Sequence, residues 1–166
     1  MVNKLTDSVQ PILSSANTFN RFVGNYFLVG FVARIDRGSQ PFWVITLSDS
    51  SGALTLYCRN QSCINGNLQP LSWVHLEAQL DQNGAMAYFR CKYIEPLVTK
   101  RSFEGSLAGL PSTLCPKPSS LRHFVELANS LKYQELKVFL AEVILQPAVA
   151  IKYITCPASL NFHHNY

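Results

Sequence analysis

The sequence is poor in charge and contains no long apolar run. Of its 166 residues only 14% are Asp, Glu, Lys or Arg, whereas 48% are hydrophobic, a composition typical of a folded chain. No stretch approaches the about 18 apolar residues of a membrane span, and the N-terminus has no apolar signal segment. We therefore expect no membrane partner and a cytoplasmic location. The formal net charge of +4 permits a polyanionic partner without requiring one.

Common catalytic and metal-binding signatures are also missing. The chain has no GxxxxGK[ST] phosphate loop, no HExxH helix and no GxSxG elbow, so three widespread enzyme mechanisms lack their motif. Its five cysteines are odd in number and without CxxC spacing, which disfavours a disulfide framework or a zinc ribbon. Reduced, mostly buried thiols are the expectation, ahead of a zinc corner made by Cys58, Cys63 and Cys91.

What the sequence does have is a series of strand patterns. β-Branched and aromatic residues alternate with polar ones in segments separated by turn clusters such as RGSQP and SDSSG. The predicted strands are residues 26–36, 42–49, 53–59, 72–81 and 85–97. QNG at residues 82–84 predicts an Asn-Gly hairpin turn, and Gly30 indicates a bulge that bends the first strand.

The longest connection in this region follows the third strand. Five strands with their widest gap at that point predict a mainly β fold, the five-stranded Greek-key barrel called the OB-fold, with C-terminal helices. An SH3-like barrel is the competing prediction, although it usually lacks the gap.

The composition of the sequence changes after the fifth predicted strand. Residues 98–118 are rich in Gly, Pro, Ser and Thr and predict a linker, and residues 119–166 contain apolar residues at helical spacing. We expect a helix capped by Ser119 or Ser120 and a second helix that Pro147 ends or kinks. The predicted organisation is an N-terminal extension (1–25), a barrel (26–97), a linker (98–118) and a helical segment (119–166).

Alternation assigns the two faces of the second and third strands. Two purely apolar sets, Trp43/Ile45/Leu47 and Leu54/Leu56/Cys58, are expected to point into the core, and a one-residue slip would exchange the faces. The opposite parity carries aromatic and basic side chains. Bases stack on aromatic rings for about 1–3 kcal/mol each, and Arg or Lys meets phosphates, on the face that OB-folds use for oligonucleotides. The candidate binding residues are Phe42, Thr46, Thr55, Tyr57, Arg59, Arg34, Arg37, Tyr88, Arg90 and Lys92. The alternative places Phe42 and Tyr57 under the C-terminal helices, as ordinary packing.

Two parts of the sequence together resemble a known family. VGFVARIDRGSQPFWVITLSDSSGALTLYCRN resembles the first three strands of a nucleic-acid-binding OB domain. Combined with LRHFVELANSLKYQELKVFLAEVIL and the string ASLNFHHNY, it is similar to the N-terminal portion of YhaM-type 3′–5′ exoribonucleases and of HD-domain relaxase-like proteins of mobile elements. The resemblance implies a module that holds single-stranded RNA or DNA and feeds it towards a metal-dependent phosphodiesterase.

The same resemblance bears on metal binding at the C-terminus. In those families the string opens the HD domain, and the metal ligands follow it, beyond Tyr166. His163 and His164 match only the histidine pair that precedes those ligands, and two His with a Tyr cannot complete a metal site. We therefore expect no catalytic residue in these 166 residues, and a divalent metal only where a complete HD domain follows. The alternative function is a protein-interaction module that docks on the missing catalytic domain or on another protein.

Overall fold

The computed structural model describes residues 10–97 and 106–156, which form a five-stranded barrel followed by three helices. The strands are β1 Arg21–Ile35, β2 Pro41–Asp49, β3 Gly52–Cys58, β4 Ser72–Asn83 and β5 Met86–Pro96, and the helices are α1 Pro118–Asn129, α2 Gln134–Ile144 and α3 Pro147–Thr155. Short 3₁₀ turns lie at Leu13–Thr18, Gln61–Cys63, Leu107–Gly109 and Ser112–Leu114.

The barrel closes in the order β1-β2-β3-β5-β4. β1 pairs with both β2 and β4, and only the β3–β5 pair is parallel. This is the topology of the OB-fold, so the predicted fold class is confirmed. β1 serves two neighbours because its register shifts between Leu28 and Gly30, a bulge that bends the strand around the barrel as the glycine indicated.

The barrel core follows the alternation of the second and third strands. Ile45, Leu47, Leu56 and Cys58 are fully buried, and Trp43 and Leu54 are partly buried against the same cluster. The predicted inward set is therefore correct. Since Trp43 pairs with Cys58 and Leu47 with Leu54, the register between β2 and β3 places both sets on one face.

Three local predictions need correction. β1 begins at Arg21 rather than at residue 26, because its first eight residues pair with β4, a long-range contact that local alternation does not reveal. The β4–β5 turn is Gly84–Ala85, since Asn83 still pairs with Met86, and Gly84 takes the positive φ that this turn position requires. α1 starts after Lys117 with Pro118 in its first turn, so Ser119 and Ser120 lie inside the helix.

The helices pack in a second hydrophobic cluster outside the barrel. Its barrel side consists of Phe27 and Trp73, whose rings meet edge to face with centroids 5.0 Å apart. The Trp73 Nε1–H also donates a hydrogen bond of 2.7 Å to the Leu145 carbonyl. Residues 106–117, predicted as linker, contribute Leu107 and Leu110 to this cluster, so the described part of that segment is packed because its apolar residues cover Trp73. The division of the chain into domains stays a prediction.

α2 and α3 meet at a sharp bend. Pro147 occupies the first turn of α3, where its missing N–H costs nothing, and the two helices are bent by 90°. The prediction that Pro147 ends or kinks the helix is confirmed. No single helix within residues 10–97 and 106–156 is long and apolar enough to cross a membrane, and only the bent pair α2 and α3 reaches that length and hydropathy together.

The buried carboxylate of Asp49 stabilises the β2–β3 turn. Asp49 accepts hydrogen bonds from the backbone N–H of Leu13 at 2.7 Å, from that of Gly52 at 3.1 Å, and from both the N–H and the hydroxyl of Ser51. The carboxylate therefore caps its own turn and also joins the Leu13–Thr18 segment to the barrel. Ser48, beside it, accepts a hydrogen bond from the Thr113 N–H, so the helical unit attaches at this end of the hairpin.

Candidate nucleic-acid interface

Three aromatic side chains form a row across the outward face of the barrel. The ring centroids of Phe42 and Tyr57 are 6.3 Å apart, and those of Tyr57 and Tyr88 are 6.1 Å apart. Tyr57 in the middle is 37% exposed, while Phe42 and Tyr88 are partly buried at its sides. The row therefore joins β2, β3 and β5 through one shared ring.

Strand pairing explains why these rings meet. Tyr57 lies opposite Val44 of β2 and, in the parallel pair, opposite Arg90 of β5. Paired residues of neighbouring strands project to the same face, so Phe42 and Tyr88 reach Tyr57 diagonally from either side. The hydrophobic cluster that packs the described helices on the barrel contains Phe27 and Trp73 but neither Phe42 nor Tyr57. The alternative in which Phe42 and Tyr57 are packed under those helices is wrong for the described residues.

Two threonines extend the same face towards the β2–β3 turn. Thr46 and Thr55 are in register opposite each other, with Thr55 exposed and Thr46 partly buried. Their hydroxyls can donate to or accept from a phosphate or a base edge. Both predicted residues thus lie on the outward face with the aromatic row.

The basic side chains surround the row, but two of them are paired with carboxylates. Arg59 Nη1 lies 3.2 Å from Asp36 Oδ2, and Arg90 Nε lies 2.9 Å from Asp81 Oδ2. Arg59 is 71% exposed, and an exposed ion pair contributes at most about 1 kcal/mol, so a phosphate can compete for it. Sequence reasoning missed both carboxylates because strand alternation specifies neither the contact of Asp36 with Arg59 nor the diagonal contact of Asp81 with Arg90 across the β4–β5 hairpin.

Three further predicted cations make no ion pair among the residues that the structure describes. Arg34 is exposed and lies opposite Phe42 in the β1–β2 pair, so it flanks the aromatic row. Arg37 is exposed in the turn that follows β1, and Lys92 is exposed on β5 at the bulge opposite Glu77 and Ala78. These side chains are free to meet phosphates.

The β1–β2 turn is rigidly built around Asp36. Its Oδ1 accepts the backbone N–H groups of Gly38 at 2.9 Å and Gln40 at 3.0 Å, and its Oδ2 faces Arg59. The hydrogen bond from Gln40 first, and those from Gly38 and the Arg59 charge after it, hold the pKa of Asp36 below its usual range. Asp36 therefore stays ionised at neutral pH and fixes the turn that carries Arg37.

A groove of about 200 Å³ opens at the β3–β5 end of the aromatic row. Five of the eight residues that line the groove were predicted for binding, and the other three, Asn60, Cys63 and Cys91, were not. The lining residues are Tyr57, Arg59, Asn60, Cys63, Tyr88, Arg90, Cys91 and Lys92. The long connection after the third strand supplies Asn60 and Cys63.

No metal site is found in the part of the chain that the structure describes, where no three His, Cys, Asp or Glu side chains are grouped to hold an ion. His163 and His164 lie outside the described residues, as does the whole ASLNFHHNY string. The expectation about a divalent metal therefore stays a prediction.

Comparison with known proteins gives structural likenesses only. No protein-family model matches the chain, and no curated protein matches it. A chain of a replication protein A heterotrimer bound to single-stranded DNA is similar with a TM-score of 0.38 at 6% identity, over 48% of this chain and 59% of that one. The mitochondrial single-stranded DNA-binding protein Rim1 of S. cerevisiae has a TM-score of 0.38 at 11% identity, over 48% and 94% of the two chains. The second OB-fold domain of replication protein A from Methanococcus maripaludis has a TM-score of 0.34 at 10% identity, over 46% and 82%.

The strand order defines the fold class, and the side chains on the outward face define a candidate binding surface. The chain contains a closed OB-fold barrel with a helical unit packed on its β1–β4 side. Its uncovered face combines an aromatic row with basic side chains. The connection between β3 and β4, which contains the Gln61–Cys63 turn, forms one wall of the groove beside that row.

Proposed function

We propose that this protein binds single-stranded nucleic acid on the face formed by β2, β3 and β5. The observation that carries the proposal is the continuous row of Phe42, Tyr57 and Tyr88, with rings about 6 Å apart on an uncovered sheet. Unstacked bases can lie on such rings, whereas bases in a duplex are already stacked on one another. An aromatic surface of this kind otherwise costs solubility.

The cations around the aromatic row can bind the phosphates of the same single strand. Arg34, Arg37 and Lys92 can each meet a phosphate directly, while Arg59 and Arg90 can do so by sharing or leaving their carboxylates. The free energy gained by stacking does not depend on base identity, and the free energy gained by phosphate contacts does not depend on sequence. We therefore propose binding with little sequence preference, to RNA or DNA.

The proposal predicts a specific dependence on salt. Binding to single strands weakens with a slope of about −0.7 in log K against log salt for each phosphate neutralised, so three unpaired cations give about −2. Fluorescence anisotropy of a labelled single-stranded oligonucleotide, titrated with protein at several salt concentrations, measures this slope. Lys92→Gln is expected to reduce its magnitude by about 0.7.

A matched variant controls this measurement. Lys132 is exposed between α1 and α2, on the helical unit rather than on the barrel face, so Lys132→Gln removes the same charge and should leave the slope unchanged. No salt-sensitive binding tighter than about 100 μM at low salt would contradict the proposal.

The larger context is proposed on the resemblance of the sequence alone. It supports a module that presents a single strand to an HD-type 3′–5′ nuclease domain, with a divalent metal belonging to that domain. A relaxase-like protein of a mobile element is the other context that the resemblance supports.

A second candidate function is a protein-interaction module. It is favoured by exposed apolar side chains on α2, where Leu136, Val138 and Phe139 are between 46% and 61% exposed. A double variant, Phe42→Ala with Tyr57→Ala, separates the two functions when its fold is intact. Loss of oligonucleotide binding supports the first function, whereas a parent protein that binds no oligonucleotide at all leaves the second.

A further inference from the structure

The groove at the β3–β5 end of the aromatic row is lined by three cations and by no acidic side chain. The cations are Arg59, Arg90 and Lys92. The carboxylates of Asp36 and Asp81, which pair with the two arginines, are not among the residues that line the groove. The groove therefore presents positive charge to solvent, and an anion is the ligand that complements it.

The guanidinium of Arg90 is held so that its terminal nitrogens are available to a ligand. Its Nε is buried and lies 2.9 Å from Asp81 Oδ2, which places the carboxylate on the Nε side of the group. In the part of the chain that the structure describes, no hydrogen bond engages either Nη of Arg90. A planar guanidinium can direct two N–H groups at two oxygens of one phosphate, and the exposed Lys92 adds a second charge in the same groove.

The connection after β3 closes one end of the groove. Asn60 Oδ1 accepts the backbone N–H of Ser62 at 3.0 Å, which fixes the first turn of this connection. Ile64 then forms a parallel bridge with Ile94 of β5, and the Asn65 N–H donates to the Ile94 carbonyl at 2.8 Å. The connection is thus bonded to β5 just beyond the groove. A nucleic-acid strand that crosses the aromatic row and enters the groove meets this wall rather than an open edge.

The size and the aromatic wall of the groove fit one nucleotide. Its volume of about 200 Å³ is below the about 300–1,000 Å³ of a pocket that encloses a drug-sized ligand. Tyr57 and Tyr88, whose ring centroids are 6.1 Å apart, offer a surface on which one base can stack. Long basic side chains keep their charged ends towards water, so the cations lie where a phosphate next to that base would be.

The charge of the groove distinguishes the end of a strand from its interior. An internal phosphodiester carries a single negative charge, whereas a phosphomonoester carries about −1.5 to −2 at pH 7 and has three free oxygens. Three cations around a groove that is closed at one end match the phosphomonoester in both charge and position.

We infer that this groove binds the phosphorylated end of a single strand. The terminal base stacks on Tyr57 and Tyr88, and the terminal phosphate is bound by the three groove cations. This inference rests on the proposed function and adds to it a preference for strands that end in a phosphate, at either the 5′ or the 3′ terminus according to the direction in which the strand lies.

Anisotropy titration of the full chain with strands that differ only at their ends tests the inference. Single strands of about ten nucleotides carry a 5′-phosphate or a 3′-phosphate, with the label at the other end, and each is compared with an unphosphorylated strand labelled at the same position. A phosphate at one of the two ends is expected to tighten binding by about ten-fold, because charge-assisted hydrogen bonds are the strong ones. An unphosphorylated strand one nucleotide longer adds one diester charge and should bind like its reference.

Two exposed cations at opposite ends of the aromatic row provide matched variants. Lys92→Gln removes a groove cation and should lower the gain from the end phosphate by about three-fold or more. Arg34→Gln removes the same charge beside Phe42, so it should weaken phosphorylated and unphosphorylated strands by the same factor and leave the gain unchanged. Both side chains are exposed, and neither substitution leaves a buried group without its partner.

Each of the other results overturns the inference in a recognisable way. Equal affinity for phosphorylated and unphosphorylated strands would remove the end preference while single-strand binding stands. An equal gain from a phosphate at either end would show general charge attraction instead of a terminal site. A gain that Arg34→Gln lowers as much as Lys92→Gln would place the terminal phosphate outside the groove. No binding of any strand would contradict the proposed function itself, and the inference with it.

Discussion

Replacing Tyr57 with alanine is expected to weaken single-strand binding by about ten- to a hundred-fold, the largest effect of any one change on the barrel face. Tyr57 is the ring that both Phe42 and Tyr88 contact, so its removal breaks the row into two isolated aromatics. A base bound there loses its own stacking partner and the flanking rings lose their support. Anisotropy titration of the same labelled oligonucleotide measures the loss.

Two further variants show whether the ring itself is responsible. Tyr57→Phe keeps the stacking surface and should bind within about three-fold of the parent protein, since stacking does not require the hydroxyl. Tyr133 at the start of α2 is 68% exposed and distant from the barrel face, so Tyr133→Ala should change nothing. Equal affinities for Tyr57→Ala, Tyr133→Ala and the parent protein would show that bases do not stack on this row.

Replacing Trp73 with alanine is expected to lower the free energy of unfolding by about 3–5 kcal/mol. Trp73 is 4% exposed, packs edge to face on Phe27 and donates its Nε1–H to the Leu145 carbonyl. Its ring also touches the position where Gly109 would carry a Cβ, at 3.1 Å, so the segment before α1 is shaped to it. The variant leaves a cavity between the barrel and the helices and an unpaired buried carbonyl. Urea unfolding followed by circular dichroism gives the change.

The two contributions of Trp73 can be separated by a smaller substitution. Trp73→Phe retains an aromatic ring against Phe27 but loses the hydrogen bond, so its cost should be clearly smaller than that of alanine. Met86, 76% exposed in the β4–β5 hairpin, provides the control, and Met86→Ala should have little effect on stability. A Trp73→Ala protein as stable as Met86→Ala would mean that the helices do not depend on this contact.

The outward face of β2 and β3 could be predicted because alternation is a local property. One buried face requires every second residue to be apolar, so the sets around Ile45 and Leu56 fixed the outward position of Tyr57. The bulge at Gly30 was predictable for the same reason, since a glycine inside a strand pattern has few other uses. These features need only a few neighbouring residues to be read.

The features that could not be predicted depend on how the strands pair and in which register. The first residues of β1 become a strand by pairing with β4, and Asp36 and Asp81 meet Arg59 and Arg90 only in the folded barrel. The meeting of Tyr57 with Arg90 likewise needs the parallel β3–β5 contact, which no local pattern specifies. Local periodicity assigns faces, but it does not assign partners.

Binding of single strands to the β2–β3–β5 face can be mapped by the chemical shifts of the backbone amides. Amide spectra of ¹⁵N-labelled protein are recorded as an unlabelled single-stranded oligonucleotide is added. The shifting amides are expected to cluster at and around Phe42, Tyr57, Tyr88 and Lys92, with those of α2 unchanged. Shifts confined to α2 and α3, or an unchanged spectrum at saturating oligonucleotide, would contradict binding to this face.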